Sequence, residues 1–431
     1  MSSPAQPSCT PLGDGLVLRS LASPFDAAEA ERLAIFNAAV HQDERVAEVT
    51  RGLTLYYPDS RPEYWLIVED TTTGQIVSSL CLIPWTWHYA DVTLRSGEMG
   101  IVGTLPDYRR RGLVRALDRR FKSLLNEGGF HLSHIQGIPY FYRQLGYEYA
   151  LPLEGGWHLR LDQVPDKAVA LAGRSCFRRA TPDDVPALAR LYDEAAHHLD
   201  ISAPRDECTW RFLLEHEPLT AHASETWLLL DQDGKPCGYW RVARFGFGEG
   251  LIVDEASWLS LDAAKAVLGK VKAQAGEGGK PFIRLSAPDS NPLVAVGRAW
   301  GAQNAGRYAW QIHVPDAVRL LRQIAPVLER RLAASFLAGS TRVVCLDLYR
   351  EQIVLHLSEG KVTRVERSSA GDVEGAACLA LPPNLLAPLV FGWRGRAALA
   401  AAYPDVSTWG DAELFADVLF PPMTAFLQTQ Y

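Results

Sequence analysis

Three consecutive arginines followed by a glycine, Arg109, Arg110, Arg111 and Gly112, are the residues of this 431-residue chain best placed to do chemistry. Before them stand an apolar stretch containing Val102, Gly103 and Thr104, then Pro106. After them come Leu113, Val114 and Arg115, opening a segment whose apolar residues Leu113, Ala116, Leu117 and Phe121 recur at helical spacing. A strand running through a turn into a helix start presents unpaired backbone N–H groups and the positive end of a helix dipole. That combination binds a pyrophosphate, and a glycine lets the backbone approach it without a Cβ in the way. Arg115, Arg119 and Lys122 extend the cationic surface along the same helix, within reach of a further phosphate. A solvated basic helix start is the plainer reading. The full order of strand, proline, arginines, glycine and helix favours the cradle.

A second cluster follows in Ile135 to Tyr149, which reads I-Q-G-I-P-Y-F-Y-R-Q-L-G-Y-E-Y. A tyrosine hydroxyl, with a pKa near 10, stays protonated at neutral pH and can donate to a departing thiolate. Tyr140, Tyr142 and Tyr147 all qualify. Other constellations carry less. Gly246, Gly248 and Gly250 suggest a nucleotide loop, but no suitable helix follows and a hairpin turn explains them. His131 and His134 sit on a strand-like segment, facing opposite sides, and no metal site is expected. The adjacent His197 and His198 read as a helix end or solvent-facing pair, and the chain has no G-x-S-x-G elbow.

The net charge of −7 disfavours nucleic acid and anionic membrane as partners. No stretch approaches a membrane span, and the start of the chain lacks the pattern of a secretion signal. The seven cysteines are scattered, without C-x-x-C, so a reducing, cytoplasmic setting is expected.

The elements that must hold these groups follow an α+β plan seen twice. Leu16 to Val40 and Cys176 to Leu199 each read as a short strand, a turn and a helix, followed by strands with hairpin signals such as Asp233-Gly234. Between Gly250 and Ala273 the second copy has Trp258, Leu259, Ser260 and Leu261 where the cradle should be. Breaks near Asp162 to Ser175 and at Pro315 divide the chain into residues 1–162, 163–315 and 316–431. The last part reads as helix over Ala317 to Ala338, two strands, then helical segments at Asn384 to Gly392 and Asp411 to Leu419.

The run V-x-T-x-P-x-Y-R-R-R-G-L-V resembles the acetyl-CoA-binding motif, R/Q-x-x-G-x-G/A, of the GNAT N-acetyltransferase superfamily, with Val114 departing from the usual last residue. The three-part plan resembles the enhanced intracellular survival (Eis) acetyltransferases. That resemblance implies tandem GNAT-like domains, mixed sheets flanked by helices, followed by a sterol-carrier-protein-like α+β domain. It implies acetyl-CoA as co-substrate, an amine-bearing small molecule or a lysine as acceptor, and a homo-oligomer, a hexamer in that family. Tyr142 matches the tyrosine that protonates the thiolate there, and Tyr431 the terminal aromatic whose carboxylate acts as base. The alternative is a non-catalytic acyl-CoA- or lipid-binding protein that retains the GNAT shell.

Overall fold

The computed structural model describes residues 9–246, 248–368 and 375–431. A hairpin of β1 (Thr10–Gly13) and β2 (Leu16–Ser20) leads into helices α1 (Ala27–His41) and α2 (Arg45–Leu55). Asp26 starts α1 by accepting the amides of Ala28 and Glu29 at 2.8 and 3.0 Å. Then come β3 (Trp65–Asp70), β4 (Gln75–Tyr89), β5 (Val92–Thr104), α3 (Leu113–Glu127), β6 (Leu132–Ile135) and β7 (Glu148–Arg160). Residues 76–83 of β4 are buried without interruption, so the strand reads as a continuous, mostly apolar run rather than an alternating one.

The second part repeats the plan. It runs through α4 (Asp166–Ala172), β8 (Cys176–Arg179), α5 (Val185–Ala196), β9 (Ile201–Ser202), α6 (Glu207–Glu215), β10 (Ser224–Leu230) and β11 (Pro236–Ala243). It continues with β12 (Leu251–Ala256), α7 (Leu261–Glu277), β13 (Phe282–Leu285), α8 (Pro292–Ala299) and β14 (Gln303–His313). The hairpin turn at Asp233-Gly234 joins β10 to β11, with Gly234 at φ +77°. His197 caps the end of α5 and His198 is exposed, as expected, and it also stacks on Trp258 with ring centroids 3.4 Å apart.

The two parts share one sheet, in the order β1-β2-β3-β4-β5-β6-β14-β7-β13-β12-β11-β10-β8, with β9 added on β4. Strand β14 lies between β6 and β7, and β7 lies between β14 and β13. Each half therefore closes with a strand that the other half flanks. Leu159 of β7, Val164 before α4 and Ala168 within it pack into the same core as α7 and β13.

The third part holds α9 (Ala317–Ala333), β15 (Arg342–Asp347), β16 (Gln352–Ser358), β17 (Lys361–Ser368) and β18 (Ala377–Ala380). After these come α10 (Leu386–Val390), α11 (Arg396–Ala402), β19 (Ser407–Trp409) and α12 (Ala412–Leu419). Its strands form a separate sheet, β17-β16-β15-β18-β19. Helix α9 ends five residues short of the expected Ala338, because 335–340 turn back on themselves through the Ser335 and Ser340 hydroxyls. From Thr424 the chain leaves this unit, and Ala425 bridges to Ile201 of β9. No helix among the described residues is long and apolar enough to cross a membrane.

Candidate active site

Strand β5 builds the site. It pairs with β4 along its whole length but with β6 only over Ser96 to Glu98. Among the described residues, the β6-facing edge of β5 has no strand partner from Met99 onward, and the two strands part. The pairing with β4 slips between Ser79 and Cys81, a bulge opposite Gly100 to Gly103. Ile101 sits at φ +44° in this bulge, a conformation costly for a β-branched residue and typical of a functional site. The result is an open strand edge at Val102, Gly103 and Thr104, facing a cleft of about 670 Å³, a size suited to a small ligand.

Gly112 forms the far wall. It is the N-cap of α3 at φ +75°, with no side chain closing the helix start and no acidic residue in its first turn. The first N–H groups of α3 are therefore free for an anion. The expected cradle residues Arg109, Arg110, Gly112, Leu113, Val114 and Arg115 line the cleft together with Val102, Gly103 and Thr104. Arg111 turns aside: its guanidinium lies 4.8 Å over the Tyr108 ring and donates to the Asp107 carbonyl. Lys122, expected to reach for phosphate, is held by Asp118 at 2.8 Å and the Leu145 carbonyl at 2.7 Å.

Tyr142 is buried at the cleft wall, in the turn from Phe141 to Leu145. Gly137 makes room for it, since a Cβ there would lie 2.2 Å from the tyrosine ring. Burial pushes the Tyr142 hydroxyl up to about 12, so it stays protonated. Tyr140 is exposed, while Tyr147 is buried with its hydroxyl 2.8 Å from Ser133. Of the three tyrosines, only Tyr142 lines the cleft.

Tyr431 does not line that cleft. Its ring meets Tyr57, Trp85 and His222 edge-on, and its hydroxyl donates to Glu98 Oε1 at 3.0 Å. Glu98 is 2% exposed and lies on β5, four residues before Val102. Burial pushes its carboxyl up to about 8, against the stabilising hydrogen bond of Tyr431. Its second oxygen lies 3.8 Å from Nε2 of the buried His134. Sequence reasoning missed Glu98, and also His41, which ends α1 and lines the cleft beside Gly103. Burial lowers the His41 imidazole. The only sequence signal was a lone acidic residue in a strand whose residues from Met99 onward are uncharged.

A split strand, a bulge and an uncapped helix start after R-x-x-G thus bound one open cleft. Residues 26–150 match the family model described as the acetyltransferase (GNAT) domain. A sequence comparison with curated proteins finds no match. The whole chain has the fold of GNAT N-acetyltransferases. A GCN5-related N-acetyltransferase from Anabaena variabilis is similar over 96% of this chain and 99% of its own, at 16% identity and a TM-score of 0.68. Eis1 from Mycobacterium abscessus covers 96% and 100%, at 18% identity and a TM-score of 0.61. N-myristoyltransferase from Saccharomyces cerevisiae, with bound myristoyl-CoA, covers 71% and 84%, at 10% identity and a TM-score of 0.51.

Proposed function

We propose that this chain is an acetyl-CoA-dependent N-acetyltransferase that passes the acetyl group directly to a primary amine. The acceptor class is a small polyamine- or aminoglycoside-like molecule or a lysine side chain. The observation that carries the reading is one cleft bounded by the open β5 edge, the uncapped start of α3 and Tyr142. The α3 amides, with Arg109, Arg110 and Arg115, hold the pyrophosphate. The backbone of Val102 to Thr104 holds the pantetheine arm and polarises the thioester carbonyl. The amine nitrogen attacks that carbon, the C–S bond breaks, and Tyr142 gives its proton to the thiolate.

The proton lost by the amine goes to the carboxylate of Tyr431, acting directly or through a water. The ring contacts and the Glu98 hydrogen bond anchor that residue against β5, four residues before Val102. A second reading assigns the base to Glu98 itself, favoured by a buried carboxyl raised to about 8. The sterol-carrier-like reading of residues 316–431 and a hexameric assembly belong to the same proposal, and light scattering checks the latter.

A panel of amines assayed for CoA release tests the activity. Appending a few Gly-Ser residues after Tyr431 should leave acetyl-CoA binding intact and sharply lower turnover. Full activity in the extended protein passes the base to Glu98 or His41. Phenylalanine at position 142 should lower kcat with little change in acetyl-CoA affinity; an unchanged kcat removes Tyr142 from the mechanism.

A further inference from the structure

The last eight residues cross from the third unit to the first by way of the second. Asp200 accepts both the amide and the hydroxyl of Thr424 at 2.7 Å, and Phe426 donates its amide to Ile201 at 3.1 Å. Further along, Arg205 donates to the carbonyl of Thr429, and Tyr431 then reaches Glu98. Phe426, Leu427 and Gln430 are all buried.

Arg205 is an unusual residue to find there. It is 4% exposed and held in a two-pronged ion pair by Glu255 of β12, with both contacts at 2.7 Å. Tyr239 donates to the same carboxylate at 2.6 Å. The guanidinium also lies over the rings of Tyr192 and Trp210, 4.5 and 4.7 Å from their centroids. Burying such a pair costs desolvation comparable to its attraction, so stability alone is a weak reason for it. A guanidinium packed against two rings and held by a carboxylate fork is, however, rigidly aimed. Its remaining contact is to a backbone carbonyl, which fixes the path of the chain rather than one side chain.

We infer that Arg205 is a positioning residue for acetyl transfer: clamped by Glu255, it holds residues 424–431 in the path that seats Tyr431 against Glu98. The half of the sheet without a phosphate cradle thus contributes to the reaction by aiming the tail. The inference rests on the reading of Tyr431 as the base.

The test pairs Arg205→Met with Glu255→Gln, so that no lone charge stays buried, and compares it with Arg205→Lys. A lysine keeps the charge but cannot hold the carboxylate fork and the Thr429 carbonyl together. In both proteins a carboxypeptidase should release Tyr431 faster than from the parent. The kcat should fall, by on the order of 10²-fold in the double variant, because small misplacements of a reacting group cost that much. The KM and Kd for acetyl-CoA should not move, since neither residue touches the cleft. Parent-like kcat in both variants, or a tail as protected as in the parent, overturns the inference. So does amide exchange of Thr424 and Phe426 in the parent at the rate of an unstructured tail, a measurement that needs no variant. A Tyr431-deleted protein separates the two claims. Full turnover on deletion sinks the base assignment, whereas lost turnover on deletion with active Arg205 variants sinks only the clamp.

Discussion

Glu98 is a neutral carboxylic acid in the fold at neutral pH. Its folded pKa of about 8 lies above the roughly 4.3 of an unfolded chain. The stability it contributes is therefore complete below about pH 4 and is lost as pH rises through 8. Glu98→Gln keeps a neutral isostere at every pH. The variant's melting temperature relative to the parent should climb between pH 5 and pH 8 and level off above it; a pH-independent difference would mean that the carboxyl is ionised in the fold. At Gly112 a Cβ would meet nothing within 4 Å, so a side chain fits, although at φ +75°. Gly112→Ala should thus carry only backbone strain of about 1 kcal/mol. Gly112→Asp adds a charge facing the phosphates and should weaken acetyl-CoA binding by roughly 10- to 100-fold, read by calorimetry. Parent-like affinity in the aspartate variant contradicts the cradle. The strand, turn, glycine and helix start of the proposed cradle were legible in the sequence because these parts are contiguous and each has a local physical role. Glu98 was not, because its partner Tyr431 lies 333 positions away and only the fold joins them.

The elements work by what they leave open. Helix α3 begins at a glycine that offers no capping atom, whereas α7, its counterpart, begins at Ser260, whose hydroxyl accepts the Ala263 amide at 3.3 Å. The difference is one side-chain oxygen, and it decides whether donors at the helix start remain for a ligand. The start of α3 was readable in the sequence through Gly112 and the apolar period that follows it. The parting of β5 from β6 was not, since a bulge is a slip of register that leaves no mark in an apolar run. The turn after β6 is equally tight. Gly137→Ala would drive a methyl into the Tyr142 ring, with Gln311 Nε2 only 2.8 Å away on the other side. The ring must shift, so kcat should fall by on the order of 10²-fold while acetyl-CoA still binds. Unchanged steady-state kinetics would show that the position of Tyr142 does not matter to the reaction.

At the scale of the molecule, the two halves of the large sheet cannot be separated at the boundary that composition suggests. A chain cut after residue 162 loses β14 from between β6 and β7 and leaves long strand edges unpaired. Residues 1–162 alone should be insoluble or unable to bind acetyl-CoA. A soluble fragment with parent-like affinity would show that the shared strands are dispensable. The repeat was visible in the sequence as a recurring pattern, but the exchange was not, because strand order depends on pairings far apart in the chain. The same architecture fixes the number of ligands. In the second half, the pocket beside the end of β12 at Ala256 has a volume of only about 20 Å³. Trp258, stacked on His198, and the tail residues Phe426 and Gln428 line it. Ser260 takes one of the helix donors, Asp262 places a negative charge in the first turn, and no arginine precedes the helix between Leu251 and Leu261. A pyrophosphate there would meet a filled site, a capped helix and a carboxylate. Calorimetric titration should therefore give one acetyl-CoA per chain, and Gly112→Asp should weaken that single event without revealing another. A stoichiometry of two in the parent, or a second event in the variant, would mean that the second half opens to a ligand despite the tail lying across it.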